Sequence, residues 1–278
     1  MSQKNFHINM SSEVIVFDGI IAAGKTTFIE NAVRELERRG FSVVVVREPV
    51  EKWKNNGMLA RFYGDIKRYA YNFQTMAFHD RVAECINAAK TPAQIYLLER
   101  SCFTDNLFME MLHDDGKVDD LEMQNYRDWW SLWYHVMPFQ PTLFVYIRPS
   151  MNACMERIRA RARPGEEVVG EDYQTRLQAK HDALFESGSV DVQGKSVPCI
   201  KITSENDFRE MEQVRQTIDM LLAARSITVA SSSDSTVIVP SITPPIGTGP
   251  FDLTTDITPT TTTTIASNST TSRTCELL

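Results

Sequence analysis

Short apolar runs alternate with longer amphipathic stretches along most of the chain. The apolar runs are rich in β-branched and aromatic residues and are too short for helices, so they predict buried parallel strands. These strands are expected at 14–17, 43–46, 95–98, 143–147 and 197–202. Helical periodicity predicts helices at 26–39, 67–89, about 119–136, 151–162 and 173–186, with one more helix after the fifth strand. The alternation predicts an α/β fold, with a parallel sheet of about five strands covered by helices on both faces.

A change of composition near Ser226 divides the chain. We expect a flexible N-terminus at 1–12, one domain at 13–226, and a disordered tail at 227–278 that is rich in Ser, Thr and Pro. The net charge of −7 argues against a broad nucleic-acid surface. The five cysteines lack metal-ligand spacing, and neither a leader nor a membrane-spanning run is evident, so we expect a cytoplasmic protein.

A phosphate-binding motif follows the first predicted strand. Residues 19–26 fit G-x-x-x-x-G-K-[ST], and a predicted helix begins within them. The glycines allow backbone N–H groups to surround phosphate oxygens, and the helix directs its positive end toward them. Lys25 is expected to reach the β and γ phosphates of ATP, and the Thr26 hydroxyl to bind Mg²⁺.

Carboxylates follow the next two strands. Glu48 could accept a proton from an attacking hydroxyl, although an isolated Glu-Pro is also typical of a solvated turn. Glu99 suits Mg²⁺. Arg100 could orient Glu48 and stabilise a transferring phosphoryl group. The alternative is that Glu99 and Arg100 form an ordinary ion pair at the end of the strand. Because parallel strands end at one edge of a sheet, three such sites after three strands favour the functional interpretation.

Four arginines alternate at the end of the fourth predicted helix. A spacing of two residues cannot keep them on one helical face, so we interpret them as a closing loop that wraps phosphates. The alternative is a solvated basic helix. They are Arg157, Arg159, Arg161 and Arg163, and we call 157–163 the arginine-rich lid.

The ordered set of motifs resembles the deoxynucleoside kinase family. It comprises Gly-x-x-Ala-Ala-Gly-Lys-Thr-Thr from Gly19, Glu-Pro-Val-x-x-Trp from Glu48, Phe73-Gln74, Glu99-Arg100-Ser101 and the lid. The resemblance implies a P-loop kinase fold, transfer of the ATP γ-phosphate to a deoxynucleoside 5′-hydroxyl, a requirement for Mg²⁺, and a homodimer.

The resemblance also assigns residue roles. Catalysis falls to Glu48, Arg100 and Lys25, with Thr26 and Glu99 at the metal. ATP binding falls to Gly19, Ala22, Ala23, Gly24, Lys25, Thr26, Thr27, Arg157, Arg161, Asp207 and Phe208. Substrate binding falls to Glu48, Trp53, Tyr63, Phe73, Gln74, Arg81, Arg100, Asp105, Arg163 and Glu166, of which Tyr63 and Glu166 hold the sugar 3′-hydroxyl.

Substrate preference depends on Arg81 and Asp105. In the family's deoxycytidine and deoxyguanosine kinases, an Arg and an Asp at these positions read the base, and thymidine-preferring members lack the pair. We therefore expect deoxycytidine and purine deoxynucleosides ahead of thymidine, unless the pair is a structural salt bridge.

Other interpretations stay open at this stage. A nucleoside-monophosphate kinase would need a second phosphate clamp near the acceptor, and a non-catalytic relative would be free to lose Lys25, Glu48, Glu99 and Arg100. The chain ends in Cys275-Glu-Leu-Leu, which fits a prenylation pattern or is a chance tail. We expect no nucleic-acid partner.

Overall fold

Five parallel strands form the centre of the sheet, and each contains one of the predicted apolar runs. Every residue of the third and fourth strands is buried, as expected for a sheet covered on both faces. In a computed structural model, which describes residues 12–203 and 208–227, the strand order is β2-β3-β1-β4-β6-β5. The strands are β1 (Glu13–Asp18), β2 (Val43–Val46), β3 (Ile95–Glu99), β4 (Leu143–Ile147), β5 (Ser189–Val192) and β6 (Lys195–Ile202).

The sequence did not predict β5, which pairs antiparallel with β6 at one edge of the sheet. Its four residues alternate between buried and more exposed positions, a pattern too short to stand out in the sequence. Gln193 and Gly194 connect the two strands with φ angles of 54° and 76°. Two successive positive φ angles are typical of a tight two-residue hairpin.

The predicted helices are confirmed to within two residues at each end, and three shorter helices are new. The new ones, α2, α3 and α5, follow β2 and β3 and lack enough turns to give a clear period. The helices are α1 (Lys25–Arg38), α2 (Val50–Asn55), α3 (Met58–Gly64), α4 (Ile66–Ala88), α5 (Asn106–Asp114), α6 (Asp120–Val136), α7 (Met151–Arg161), α8 (Glu171–Phe185) and α9 (Met211–Arg225).

Two apolar layers cover the sheet. Phe28 of α1 and Ile218 of α9 pack with Phe17 in one buried cluster. Phe78 of α4 and Tyr126 of α6 belong to a second cluster, which contains the alternate side chains of β1. With both faces covered, the carboxyl ends of β1, β2 and β3 remain open to a ligand.

Three sequence predictions lie outside the described residues. They concern the N-terminus, the Ser/Thr/Pro-rich tail with Cys275, and Asp207. Within residues 12–203 and 208–227, no helix has the length and apolar character needed to cross a membrane.

Candidate active site

The loop between β1 and α1 has a backbone that requires glycine. Gly19 has a φ of +143°, and a Cβ there would lie 2.3 Å from the carbonyl oxygen of Ile147. Gly24 has a φ of +102° directly before α1. No acidic residue lies in the first turn of α1, so its N-terminal N–H groups can face a phosphate.

Lys25 is buried and folded back onto this loop. Its Nζ donates to the carbonyl oxygens of Gly19 at 3.0 Å and Ile20 at 2.9 Å. Burial, assisted by the charge of Arg100, lowers the pKa of Lys25 to about 8, although Glu99, Glu48 and Asp18 oppose the shift. A phosphate would offer Lys25 a charged acceptor in place of two neutral ones, which favours transfer of its hydrogen bonds to the phosphate.

Thr26 and Glu99 come together at the start of α1 and the end of β3. The Thr26 hydroxyl donates to Oε1 of Glu99. This pair of oxygens fits Mg²⁺, which prefers one or two protein oxygens supplemented by phosphate oxygens and water. Among the described residues, no group of three or more His, Cys, Asp or Glu side chains that could hold a metal occurs.

Glu48 lies between two arginines. Its Oε1 is 3.4 Å from Nε of Arg100 and accepts a hydrogen bond from Nη2 of Arg81. Burial raises the pKa of Glu48, but the charges of Arg100, Arg81 and Lys25 outweigh burial and hold the pKa at about 2. Glu48 is therefore ionised over the physiological pH range.

Arg100 is held in an unusual backbone conformation. Its φ is +62°, which is costly for a residue with a side chain. Its N–H donates to Phe17 O at 2.9 Å, and Nη1 donates to Gly19 O at 3.0 Å. The guanidinium carbon also lies 4.5 Å from the ring centre of Phe108. These contacts fix the guanidinium beside Glu48.

Sequence reasoning missed two residues behind Arg100. Oδ1 of buried Asp18 accepts from the Gly19 N–H at 2.8 Å and lies 3.4 Å from Nη1 of Arg100. It is also 3.2 Å from Nε2 of the fully buried His181. The position of Asp18 directly before the glycine loop could have indicated that it belongs to the site. Nothing in the sequence linked it to a histidine 163 positions away.

Arg81, Gln74 and Asp105 form a connected group at the other end of the site. Nη1 of Arg81 donates to Oδ1 of Asp105. Both contacts of the Gln74 Nε2 group are with Asp105, at 2.9 Å to Oδ2 and 3.4 Å to its carbonyl oxygen. Asp105 also accepts from the Tyr126 hydroxyl, which the sequence did not predict. Asp105 therefore lies buried behind Arg81 and Gln74, where it orients both.

Aromatic rings surround the space in front of Gln74. Phe73 stacks on Phe62 with ring centres 4.5 Å apart, and the rings of Trp53 and Phe73 are nearly perpendicular with centres 5.4 Å apart. Sequence reasoning did not include Phe62, which lies next to Tyr63. The rings provide flat apolar surfaces suited to a nucleobase.

Glu166 is buried between two lid arginines. It accepts from Arg161 at 2.6 and 2.7 Å and from Arg163 at 3.1 Å. Tyr63 closes the same corner, because a Cβ on Gly165 would lie 2.5 Å from its ring. Burial and the charge of Glu166 raise the pKa of Tyr63, so its phenol stays protonated and can donate a hydrogen bond.

The loop interpretation of the lid is wrong for its first three arginines. α7 continues through Arg161, and its period places Arg157 and Arg161 on one face. Arg157 donates to the carbonyl oxygens of Ala22 and Ala23 at 3.4 and 3.2 Å, whereas Arg159 is exposed. Arg161 is paired with Glu166 and lines the same cavity as Lys25, so its contact with ATP stays a prediction.

Phe208 packs against the phosphate-binding loop. Its ring centre is 5.0 Å from that of Phe28, and a Cβ on Gly24 would lie 3.3 Å from its ring. This position is next to the expected ATP site, although the ring is largely buried.

One cavity of about 700 Å³ connects the two ends of the site. Lys25, Thr26, Glu48 and Arg100 line it, as do Phe73 and Gln74. The cavity therefore has room for a phosphate donor and an acceptor together.

Residues 15–224 match the family model described as deoxynucleoside kinase. The chain belongs to the deoxynucleoside kinase family. It is therefore an ATP-dependent nucleoside kinase, and the fold and activity expected from the motifs are confirmed.

Named relatives of this deoxynucleoside kinase differ in the substrate that their names specify. A probable deoxycytidine kinase of Fowlpox virus is 34% identical, over 74% of this chain and 84% of its own. Deoxycytidine kinase 2 of Gallus gallus is 29% identical, over 73% and 85%. The mitochondrial thymidine kinase 2 of Homo sapiens is 27% identical, over 75% and 77%. Overall similarity therefore leaves the preferred base open.

A solved structure supports the fold of this kinase. Deoxyadenosine kinase from M. mycoides with bound dCTP superimposes with a TM-score of 0.60 and 21% identity, over 76% of this chain and 99% of that chain.

Proposed function

We propose that this kinase transfers the γ-phosphate of ATP to the 5′-hydroxyl of deoxycytidine and purine deoxynucleosides in preference to thymidine. The observation that carries the preference is the orientation of Gln74. Because its Nε2 group contacts Asp105, its Oε1 is left to accept a hydrogen bond in the cavity.

An acceptor at this position favours bases with exocyclic amino groups. Cytosine and adenine have an amino group at C4 and C6, and guanine has one at C2, whereas thymine has carbonyl oxygens at C2 and C4 and no amino group. Arg81 lines the same cavity and supplies donors for a base carbonyl or ring nitrogen. A thymine carbonyl facing Oε1 of Gln74 would place two acceptors together, which costs binding energy.

In the proposed reaction, Glu48 accepts the proton of the 5′-hydroxyl as that oxygen attacks the γ-phosphorus, and the bond from this phosphorus to the β–γ bridging oxygen breaks to release ADP. Arg100 holds the Glu48 carboxylate and stabilises charge on the transferring group, and Lys25 binds the β and γ phosphates. Mg²⁺, held through Thr26 and Glu99, would supply further charge neutralisation at the phosphates. Tyr63 and Glu166 bind the sugar 3′-hydroxyl as donor and acceptor.

The charges at the acceptor end favour a neutral nucleoside over a nucleoside monophosphate. Arg81 is paired with Asp105 and Glu48, and Arg161 and Arg163 are paired with Glu166. A second phosphate there would have to break these pairs and approach the negative charge of Glu48.

We also propose a homodimer. Trp130 and Trp133 of α6 pack against the core, but Trp129 and Leu132 are 54% and 57% exposed. Exposed apolar side chains on one helix support a protein interface. Light scattering after gel filtration tests the mass, and a monomer at micromolar concentration would contradict the proposal.

The base preference is tested by steady-state kinetics with purified protein, ATP, Mg²⁺ and each of the four deoxynucleosides. We expect kcat/KM for deoxycytidine, deoxyadenosine and deoxyguanosine to exceed that for thymidine. Thymidine as the best substrate would contradict the proposal.

A further inference from the structure

Helix α2 depends on its neighbours for its position. It has six residues and no side-chain hydrogen bond at its N-terminus, and a helix this short is not stable alone in water. It begins at Val50, directly after the Glu48-Pro49 segment. Whatever fixes α2 therefore also restrains the chain next to Glu48.

The polar contact that fixes α2 comes from Asp80 on α4. Its Oδ2 accepts from Nε1 of Trp53 at 2.9 Å, and its Oδ1 accepts from Nζ of Lys52 at 2.8 Å. Asp80 is only 4% exposed. A buried carboxylate requires hydrogen-bond donors, and α2 supplies both of these.

The bond to Asp80 restrains the orientation of the Trp53 ring. The indole is 3% exposed, and its N–H needs a partner when buried. With that partner at Asp80, the indole lies nearly perpendicular to the Phe73 ring, with ring centres 5.4 Å apart. The ring also lies 5.3 Å from the guanidinium carbon of Arg81. Trp53, Phe73 and Arg81 all line the cavity, whereas Asp80 lies outside the lining.

We infer that Asp80 is a positioning residue for nucleoside recognition, which acts through Trp53 and does not touch the nucleoside. By fixing the indole against Phe73 and Arg81, it determines the shape of the nucleobase end of the cavity. The inference rests on the proposed placement of the nucleobase against Trp53, Phe73 and Gln74.

A purely structural ion pair with Lys52 does not account for Asp80. The Lys52 side chain is 58% exposed, and exposed ion pairs add little to stability. The hydrogen bond from the buried Trp53 indole is the contact through which Asp80 affects the nucleobase end of the cavity. Lys52 therefore provides a matched control on the same carboxylate.

The test compares substitutions at Asp80, Lys52 and Trp53, with KM measured separately for deoxynucleoside and ATP. Asp80→Ala is expected to raise the nucleoside KM on the order of 10-fold, the effect of losing a hydrogen bond to a charged group. The ATP KM should stay unchanged. Asp80→Asn retains an acceptor oxygen for the indole and should stay near wild type, as should Lys52→Gln.

Trp53→Phe keeps a ring but lacks the N–H, so it should raise the nucleoside KM as Asp80→Ala does. Adding Asp80→Ala to Trp53→Phe should then have little further effect. If Asp80→Ala is too unstable to assay, Asp80→Asn, Lys52→Gln and Trp53→Phe still make the comparison.

Two results would overturn the inference. One is a normal nucleoside KM in both Asp80→Ala and Trp53→Phe, with only a lower melting temperature. The other is an Asp80→Ala effect that persists in full in the Trp53→Phe background. If Trp53→Ala also leaves the nucleoside KM unchanged, the base does not bind there and the proposed placement fails as well.

Discussion

Arg81, from the nucleobase end of the cavity, donates a hydrogen bond to Glu48, the carboxylate proposed to accept the substrate proton. Its other terminal nitrogen donates to Asp105, which also orients Gln74. One guanidinium thus connects base recognition to the reacting end of the nucleoside. A nucleobase that displaces the Arg81 guanidinium is expected to lower kcat as well as the affinity for the nucleoside.

Asp105→Asn tests the source of the base preference. The substitution removes the charge that pairs with Arg81 and lets the Gln74 amide rotate. We expect the ratio of kcat/KM for deoxycytidine to that for thymidine to fall on the order of 10-fold. Tyr126→Phe is the control, because it removes a bond to Asp105 without freeing Gln74. An unchanged ratio in Asp105→Asn would contradict the assignment.

The pH dependence of kcat tests the two arginines at Glu48. With a pKa of about 2, Glu48 should cause no loss of kcat as the pH falls from about 8 to about 4, where a carboxyl of ordinary pKa would be more than half protonated. Arg100→Met removes a charge that lowers this pKa. The remaining activity should therefore be lost at a higher pH as the solution is acidified. If wild type and Arg100→Met lose activity at the same acidic pH, Arg100 does not lower the pKa of Glu48.

ATP binding should take up protons near pH 8. The pKa of Lys25 is about 8 without a ligand, and adjacent phosphate charge favours the protonated form. Calorimetry in two buffers of different ionisation enthalpy should show proton uptake, with affinity falling as the pH rises above about 8. Lys25→Met should abolish the uptake. Equal uptake in Lys25→Met would rule out this residue as the source.

Asp18 should make folding sensitive to acid. Burial alone would raise its pKa, but its hydrogen bond to His181 and the charges of His181 and Arg100 hold the pKa well below the usual range. Its contribution to the free energy of unfolding is therefore present above about pH 4 and lost below it. Asp18→Asn should lower the melting temperature at pH 7, and the difference from wild type should shrink toward pH 3. Asp219→Asn, on an exposed side chain, is the control.

Local patterns were sufficient to predict the five parallel strands and the phosphate-binding loop. β2 and β4 begin and end where the apolar runs do, and Lys25 starts α1 as the motif requires. The motif order also indicated the convergence of Glu48 and Arg100, because the ends of parallel strands share an edge.

Other contacts between residues distant along the chain were not predicted from the sequence. The Arg81–Glu48 and Trp53–Asp80 contacts join α4 to the segment after β2, and no local pattern specifies which side chains meet there. The spacing of the lid arginines was misleading, since Arg159 faces solvent while Arg157 and Arg161 face the site. Helix α2 is stabilised mainly by tertiary contacts, so its own sequence gave little signal.

The most direct test of the account compares Glu48→Gln with wild type, measuring kcat for deoxycytidine and the Kd for ATP. Glu212→Gln serves as control, because Glu212 is an exposed carboxylate outside the cavity lining. If Glu48 accepts the 5′-hydroxyl proton, kcat falls by roughly 10²–10⁴ in Glu48→Gln. ATP affinity and the Glu212→Gln enzyme should stay close to wild type. A Glu48→Gln enzyme with nearly full kcat would contradict the central claim.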